Sequence, residues 1–109
     1  MKTAQYRWSQ SDGWKPDLPH AQVERPGLVF VFGARPLIQA GELVREVRDH
    51  FRDAPVIGCS TSGEIVGDEV VDDSVIATAV IFDHTRLRTA DAKITEAKSS
   101  YHVGEELAR

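Results

Sequence analysis

The chain has 109 residues, 41% of them hydrophobic and 28% charged, with 13 Lys and Arg against 17 Asp and Glu for a net charge of −4. That is the composition of one ordinary globular domain rather than a disordered chain, and the acidic balance with scattered basic residues lacks the footprint of a nucleic-acid binder. A single cysteine, Cys59, cannot close an internal disulfide and suits a reducing compartment, and no apolar run behind Met1 marks a signal peptide or a membrane span, so a cytoplasmic location with no membrane partner is expected.

Residues 2–8 read as a short strand inside an irregular N-terminal arm, residues 1–26, where Gly13, Pro16, Pro19 and Pro26 break any period of 2 or 3.6. Trp14 reads as the anchor that packs this arm onto the body. Five consecutive apolar residues from Leu28 to Phe32, between Gly27 and Gly33, predict a strand buried on both faces. The spacing of Leu43, Val44, Val47 and Phe51 predicts one face of a helix over residues 37–51, stopped at Asp53-Ala54-Pro55. The next strand starts at once over residues 55–57. Strand, helix and strand with short joints make a βαβ unit, with its two strands parallel and its crossover right-handed.

At Gly58 the chain changes character. Gly58, Cys59, Ser60, Thr61, Ser62 and Gly63 abandon the bulk that strands favour, and Glu64 follows. The run reads as a loop at the carboxyl end of a parallel strand, where open α/β sheets bind ligands, with backbone N–H groups open to a small polar or anionic group. The same spacing also fits a tight turn whose hydroxyls cap their own backbone.

Residues 66–73 form an acidic, turn-rich stretch, and residues 74–82 another nearly continuous apolar strand. After a turn at 83–86, alternation over residues 87–95 predicts the half-exposed second strand of an antiparallel hairpin. Ser99 or Ser100 caps a last helix whose pattern still runs at Arg109 with no stop signal. The predicted fold class is α/β: a mixed sheet around one right-handed βαβ unit plus an antiparallel hairpin, cut short in the last helix. Its centre is expected at residues 28–32, 56–59 and 75–82. The helix covers one face. The other face is apolar too, and is left to the N-terminal arm, the last helix, a second copy or missing sequence.

From about residue 20 onward the chain resembles the N-terminal part of a FIST domain, a bacterial sensory module coupled to signal transduction. The resemblance is carried by Leu28-Val29-Phe30-Val31-Phe32-Gly33 and by Pro55-Val56-Ile57-Gly58-Cys59-Ser60-Thr61-Ser62-Gly63-Glu64-Ile65. Asp72-Asp73-Ser74-Val75 and Phe82-Asp83-His84-Thr85-Arg86-Leu87 extend it. It implies a small-ligand-binding sensory domain without catalysis, covering residues 27–109, with amino acids among the ligands. The ligand-binding residues it implies are Gly58, Cys59, Ser60, Thr61, Ser62, Gly63 and Glu64. Glu64 would receive an amino group while loop N–H groups take a carboxylate. It also implies a signalling partner or a further C-terminal domain, and some relatives hold haem and respond to nitric oxide. A structural or oligomerising half-domain that binds nothing alone is the alternative.

Other chemistry is weaker. Cys59 as a nucleophile would need a base, and none of His20, His50, His84 or His102 is placed against it by sequence, so a buried structural cysteine is expected and no enzyme. No His or Cys pair has zinc-ligand spacing, and Asp68, Glu69, Asp72 and Asp73 lack the intervals of a calcium loop, so a solvated acidic turn and no metal are expected. Haem would need an axial ligand, for which the sequence names no histidine.

Overall fold

The computed structural model describes residues 1–16, 26–93 and 99–109. In chain order these form strands β1 (Lys2–Ser9), β2 (Gly13–Lys15) and β3 (Leu28–Ala34), then helices α1 (Arg35–Ala40) and α2 (Glu42–His50). Strands β4 (Val56–Thr61), β5 (Glu64–Val66), β6 (Glu69–Val71) and β7 (Val75–Ile81) follow, and helix α3 (Ser100–Ala108) comes last. Five strands make one mixed sheet in the order β2-β1-β7-β3-β4, and β5 with β6 forms a separate two-stranded hairpin. The α/β class and the parallel pairing of β3 with β4 are as expected.

The arm is more ordered than its prolines suggest. Ala4, Tyr6 and Trp8 alternate along β1 toward the core, and β1 inserts between β2 and β7. Residues 13–15, read as irregular, return as β2 and pair Trp14 with Trp8; Asp12 in the turn sits 3.8 Å from Arg7 and 3.6 Å from Lys15. Trp14 is the anchor its indole promised: its Nε1 donates to Glu46 Oε2 on α2 at 2.8 Å.

The predicted single helix over 37–51 is two. Gly41 takes φ +81, a left-handed conformation that ends α1 and starts α2. The apolar face holds across the break: Leu43 and Val47 are buried on α2, and Phe51 is buried just past its end.

The glycine-rich run is not a loop at its start. Strand β4 continues through Gly58, Cys59, Ser60 and Thr61, and only Ser62 and Gly63 turn the chain before Glu64 opens β5. Gly58 is there for fit: a Cβ would run into the carbonyl of Val31, its partner on β3. Nor is β4 at the centre. Among the described residues it is the edge of the sheet, with β7 and β3 interior.

Two other expectations change. The acidic stretch 66–73 contains the return strand β6, with Gly67 at φ +60 in the turn between β5 and β6. Residues 87–93 form no strand and are mostly exposed, while Ile94 and Thr95 lie outside the described residues. The reason is that β7 already has β1 on one side and β3 on the other, so neither edge is free for a hairpin partner. Helix α3 is capped as read, Ser99 Oγ accepting from the His102 N–H at 3.3 Å.

Register sorts the sheet into two faces. Tyr6, Ala77, Val31 and Gly58 lie in one row across four strands, on the side where Leu43, Val47 and Phe51 complete the core. The adjacent rows, Gln5–Thr78–Phe30–Ile57 and Arg7–Ile76–Phe32–Cys59, face the other way. There β5 packs against β7 and β3, so the β5–β6 hairpin covers part of the face that was expected to need the arm, the last helix or a second copy, while Ile57 and Cys59 on the same face stay exposed.

Candidate functional site

Between the sheet and the β5–β6 hairpin lies a cavity of about 290 Å³. Its apolar walls are Phe32 and Ile76 from the sheet and Ile65 from the hairpin; Gln5, Thr61 and Thr78 supply polar atoms. Glu64 and Gly63 close it at the turn from β4 to β5. Gln5 spans sheet and hairpin: its Nε2 donates to Thr78 Oγ1 at 3.3 Å, and its Oε1 accepts from the Gly67 N–H at 3.0 Å.

Glu64 is the unusual group. It is 2% exposed, and among the described residues neither carboxylate oxygen has a hydrogen-bond partner; the neighbouring Thr61 hydroxyl is buried and likewise without one. A buried carboxylate without a cation or a set of donors is costly, and native structures rarely keep one. Burial pushes the Glu64 carboxyl above its ordinary range, and the Asp72 carboxylate adds to this, with Asp73 contributing less. The Thr61 hydroxyl and Glu64's own backbone N–H favour the charged form, but neither makes a well-formed bond to it. Asp72 is close by: its Oδ1 lies 3.4 Å from where a side chain at Gly63 would begin.

The seven expected ligand residues do not form one site. Thr61, Gly63 and Glu64 meet at the cavity under the hairpin. Gly58 and Cys59 instead line a smaller cavity of about 130 Å³ on the helix side of β4, with Val31, Ile38, Val44 and Arg48. Ser60 and Ser62 are exposed and line neither. Gln5, Phe32, Ile76 and Thr78 are the cavity residues the sequence reading missed. Thr78 had a signal, since it is the one hydroxyl inside the apolar run of β7.

Cys59 is exposed at the sheet edge, not the buried structural cysteine that was expected, because odd-numbered β4 positions turn away from the helices. The described histidines sit elsewhere: His50 stacks edge-on against Phe51 at 4.6 Å, His102 Nδ1 lies 3.5 Å from Glu105, and His84 is in the exposed turn after β7. Among the described residues no three His, Cys, Asp or Glu side chains gather as metal ligands. Haem does not fit the larger cavity, whose lining has no His, Cys, Met or Tyr to serve as an axial ligand. The smaller one is less than half that volume, and Cys59, which borders it, turns its side chain to the other face. No helix among the described residues is long and apolar enough to cross a membrane.

No curated protein and no solved structure matches the chain. Strands β3 to β7, the α1–α2 layer, the capped α3 and all of the cavity lining but Gln5 fall within residues 27–109, which match the FIST N domain. The chain belongs to the FIST N domain family of sensory signal-transduction domains.

Proposed function

We propose that this chain is a non-catalytic, cytoplasmic sensory domain that binds a small molecule carrying an amino group under the β5–β6 hairpin and passes the state of that site to a signalling partner. One observation carries the reading: Glu64, on the wall of a cavity, is a buried carboxyl without a partner among the described residues. An ammonium group would supply the missing charge and donors in a charge-assisted hydrogen bond. The class includes amino acids and simple amines. At about 290 Å³ the cavity sits at the lower end of small-molecule sites, which run from about 300 Å³ upward, so the ligand is small.

The carboxylate oxygens are closed off from solvent. Entry therefore requires the hairpin to lift, and the Gln5 bond to Gly67 is the strap that holds it down. Ligand entry and hairpin position are coupled in this reading, which makes the hairpin the element that reports occupancy.

The test is a thermal melt of the chain with a panel of amino acids and small amines, repeated on Glu64→Gln. A ligand at a hundred times its Kd adds about 2.7 kcal/mol, which raises the midpoint by roughly ten degrees in a domain this size. The reading predicts a rise in the wild type that Glu64→Gln loses. No rise with any amino compound would refute it.

The outer edge of β4 favours assembly as a second reading. Its strand is unpaired on that side among the described residues and Ile57 is 45% exposed, a combination that invites strand addition. Light scattering across a concentration series would show the assembly, and a monomer at all concentrations would exclude it.

A further inference from the structure

The family resemblance leads to expect amino acids, with a carboxylate held by loop N–H groups beside Glu64. The geometry does not provide that second half. Gly58 to Thr61 are strand, whose N–H groups lie in the plane of the sheet whereas the cavity lies on its face, so of the expected N–H cradle only the Ser62–Gly63 turn is left. Among the described residues the cavity lining contains no Lys, Arg or His. Arg7 is the one cation in the cavity's rows of the sheet, and its guanidinium is turned to Asp12 at 3.8 Å. A second acid, Asp72, stands beside Gly63. The described lining therefore carries a carboxyl and no cation, and Phe32, Ile65 and Ile76 offer apolar surface.

Building on the proposed amine-binding role of this cavity, we infer that its ligand is a small alkyl- or arylalkylammonium without a carboxylate, and that the site discriminates against α-amino acids. The ammonium meets Glu64, with Thr61 and Thr78 hydroxyls as further acceptors, and the hydrocarbon lies against Phe32 and Ile76. A carboxylate on the same molecule would be brought beside Glu64 and Asp72 with no cation among the described lining residues to receive it; the Gln5 amide is engaged with Thr78, and the neutral Thr61 and Thr78 hydroxyls do not offset a second negative charge. Unpaired like charges of this kind are how a site rejects a near-isostere.

A matched set of three compounds tests this by calorimetric titration of the 109-residue chain at neutral pH. Isoamylamine, leucine and 4-methylpentanoate share one branched hydrocarbon and differ only in carrying the ammonium, both groups or the carboxylate. The expected result is binding of isoamylamine at least ten-fold tighter than leucine, with no binding of 4-methylpentanoate. Isoamylamine binding is lost in Glu64→Gln; the same variant's circular-dichroism melt reports that it is folded. Leucine binding as tightly as isoamylamine would overturn the discrimination while leaving the amine-binding reading intact. Silence from both amino compounds would overturn the amine-binding reading and this inference with it.

Discussion

The two faces of the sheet are built from the same strands, one residue out of step, and they differ in what they leave unfinished. On the helix side, Val29, Val31, Val75, Ala77 and Ala79 meet Leu43, Val47 and Phe51, all apolar and buried. On the hairpin side, Thr78, Gln5 and Thr61 stand among Phe32 and Ile76, and a buried Glu64 has no partner among the described residues. One face is closed by a helix with hydrocarbon alone. The other is closed by a three-residue-per-strand hairpin that leaves a cavity and an orphaned carboxyl. The helix face holds the fold, which lets the hairpin face keep a group that the fold alone would not favour.

The comparison can be broken first on the helix side. Phe51→Ala removes a buried aromatic packed 6.0 Å from Tyr6, and an aromatic-to-alanine change in a core costs about 3–5 kcal/mol. That is a large part of the ~5–15 kcal/mol that stabilises a small domain, so the variant should melt far below the wild type or fail to fold, as followed by urea denaturation. On the hairpin side Gln5→Ala removes two side-chain bonds at the surface, and about 1 kcal/mol is expected from such bonds. Its larger consequence should be faster amide exchange in β5 and β6, because the strap is gone, with β3 and β7 unaffected. Ile65 is 65% exposed, and Ile65→Ser should change the denaturation midpoint by no more than about 0.5 kcal/mol. A cost for Ile65→Ser as large as that for Phe51→Ala would mean the hairpin is part of the core and the two faces are not distinct.

Much of the helix face was legible in the sequence because it follows a repeating pattern. The apolar runs of β3 and β7, the spacing of Leu43, Val47 and Phe51, and Ser99 ahead of α3 all carry local signals. Gly41 also carried one, a glycine inside a helical pattern, but apolar spacing continued across it and hid the break. β4 was misread because glycine, serine and threonine score poorly as strand, while what holds it is backbone pairing to β3 and the close approach of Gly58 to Val31. The alternation over 87–93 met no free edge, a fact decided by β1 seventy or more residues away in register with β7. The cavity was legible in part. Thr61, Gly63 and Glu64 are contiguous with the motif, but Gln5, Phe32, Ile76 and Thr78 reach the site only through sheet register. Gln5 even lies outside the residues that match the family.

The central claim is that Glu64 is a buried acid lacking a counter-charge, and its titration tests that most directly. Burial, helped by Asp72 and Asp73, makes folded Glu64 hold its proton to higher pH than it does in the unfolded chain. Between the ordinary glutamate pKa and that raised value the folded state binds more protons, so stability falls as pH rises through the window and is level above it. The measurement is the urea midpoint of wild type and Glu64→Gln from about pH 4 to pH 8, spanning the ordinary glutamate pKa of about 4.3. The account predicts that the wild type loses stability relative to Glu64→Gln as pH rises, and that saturating isoamylamine reduces the loss. Parallel profiles for the two proteins would contradict it, since a carboxyl that titrates normally is already solvated or already paired.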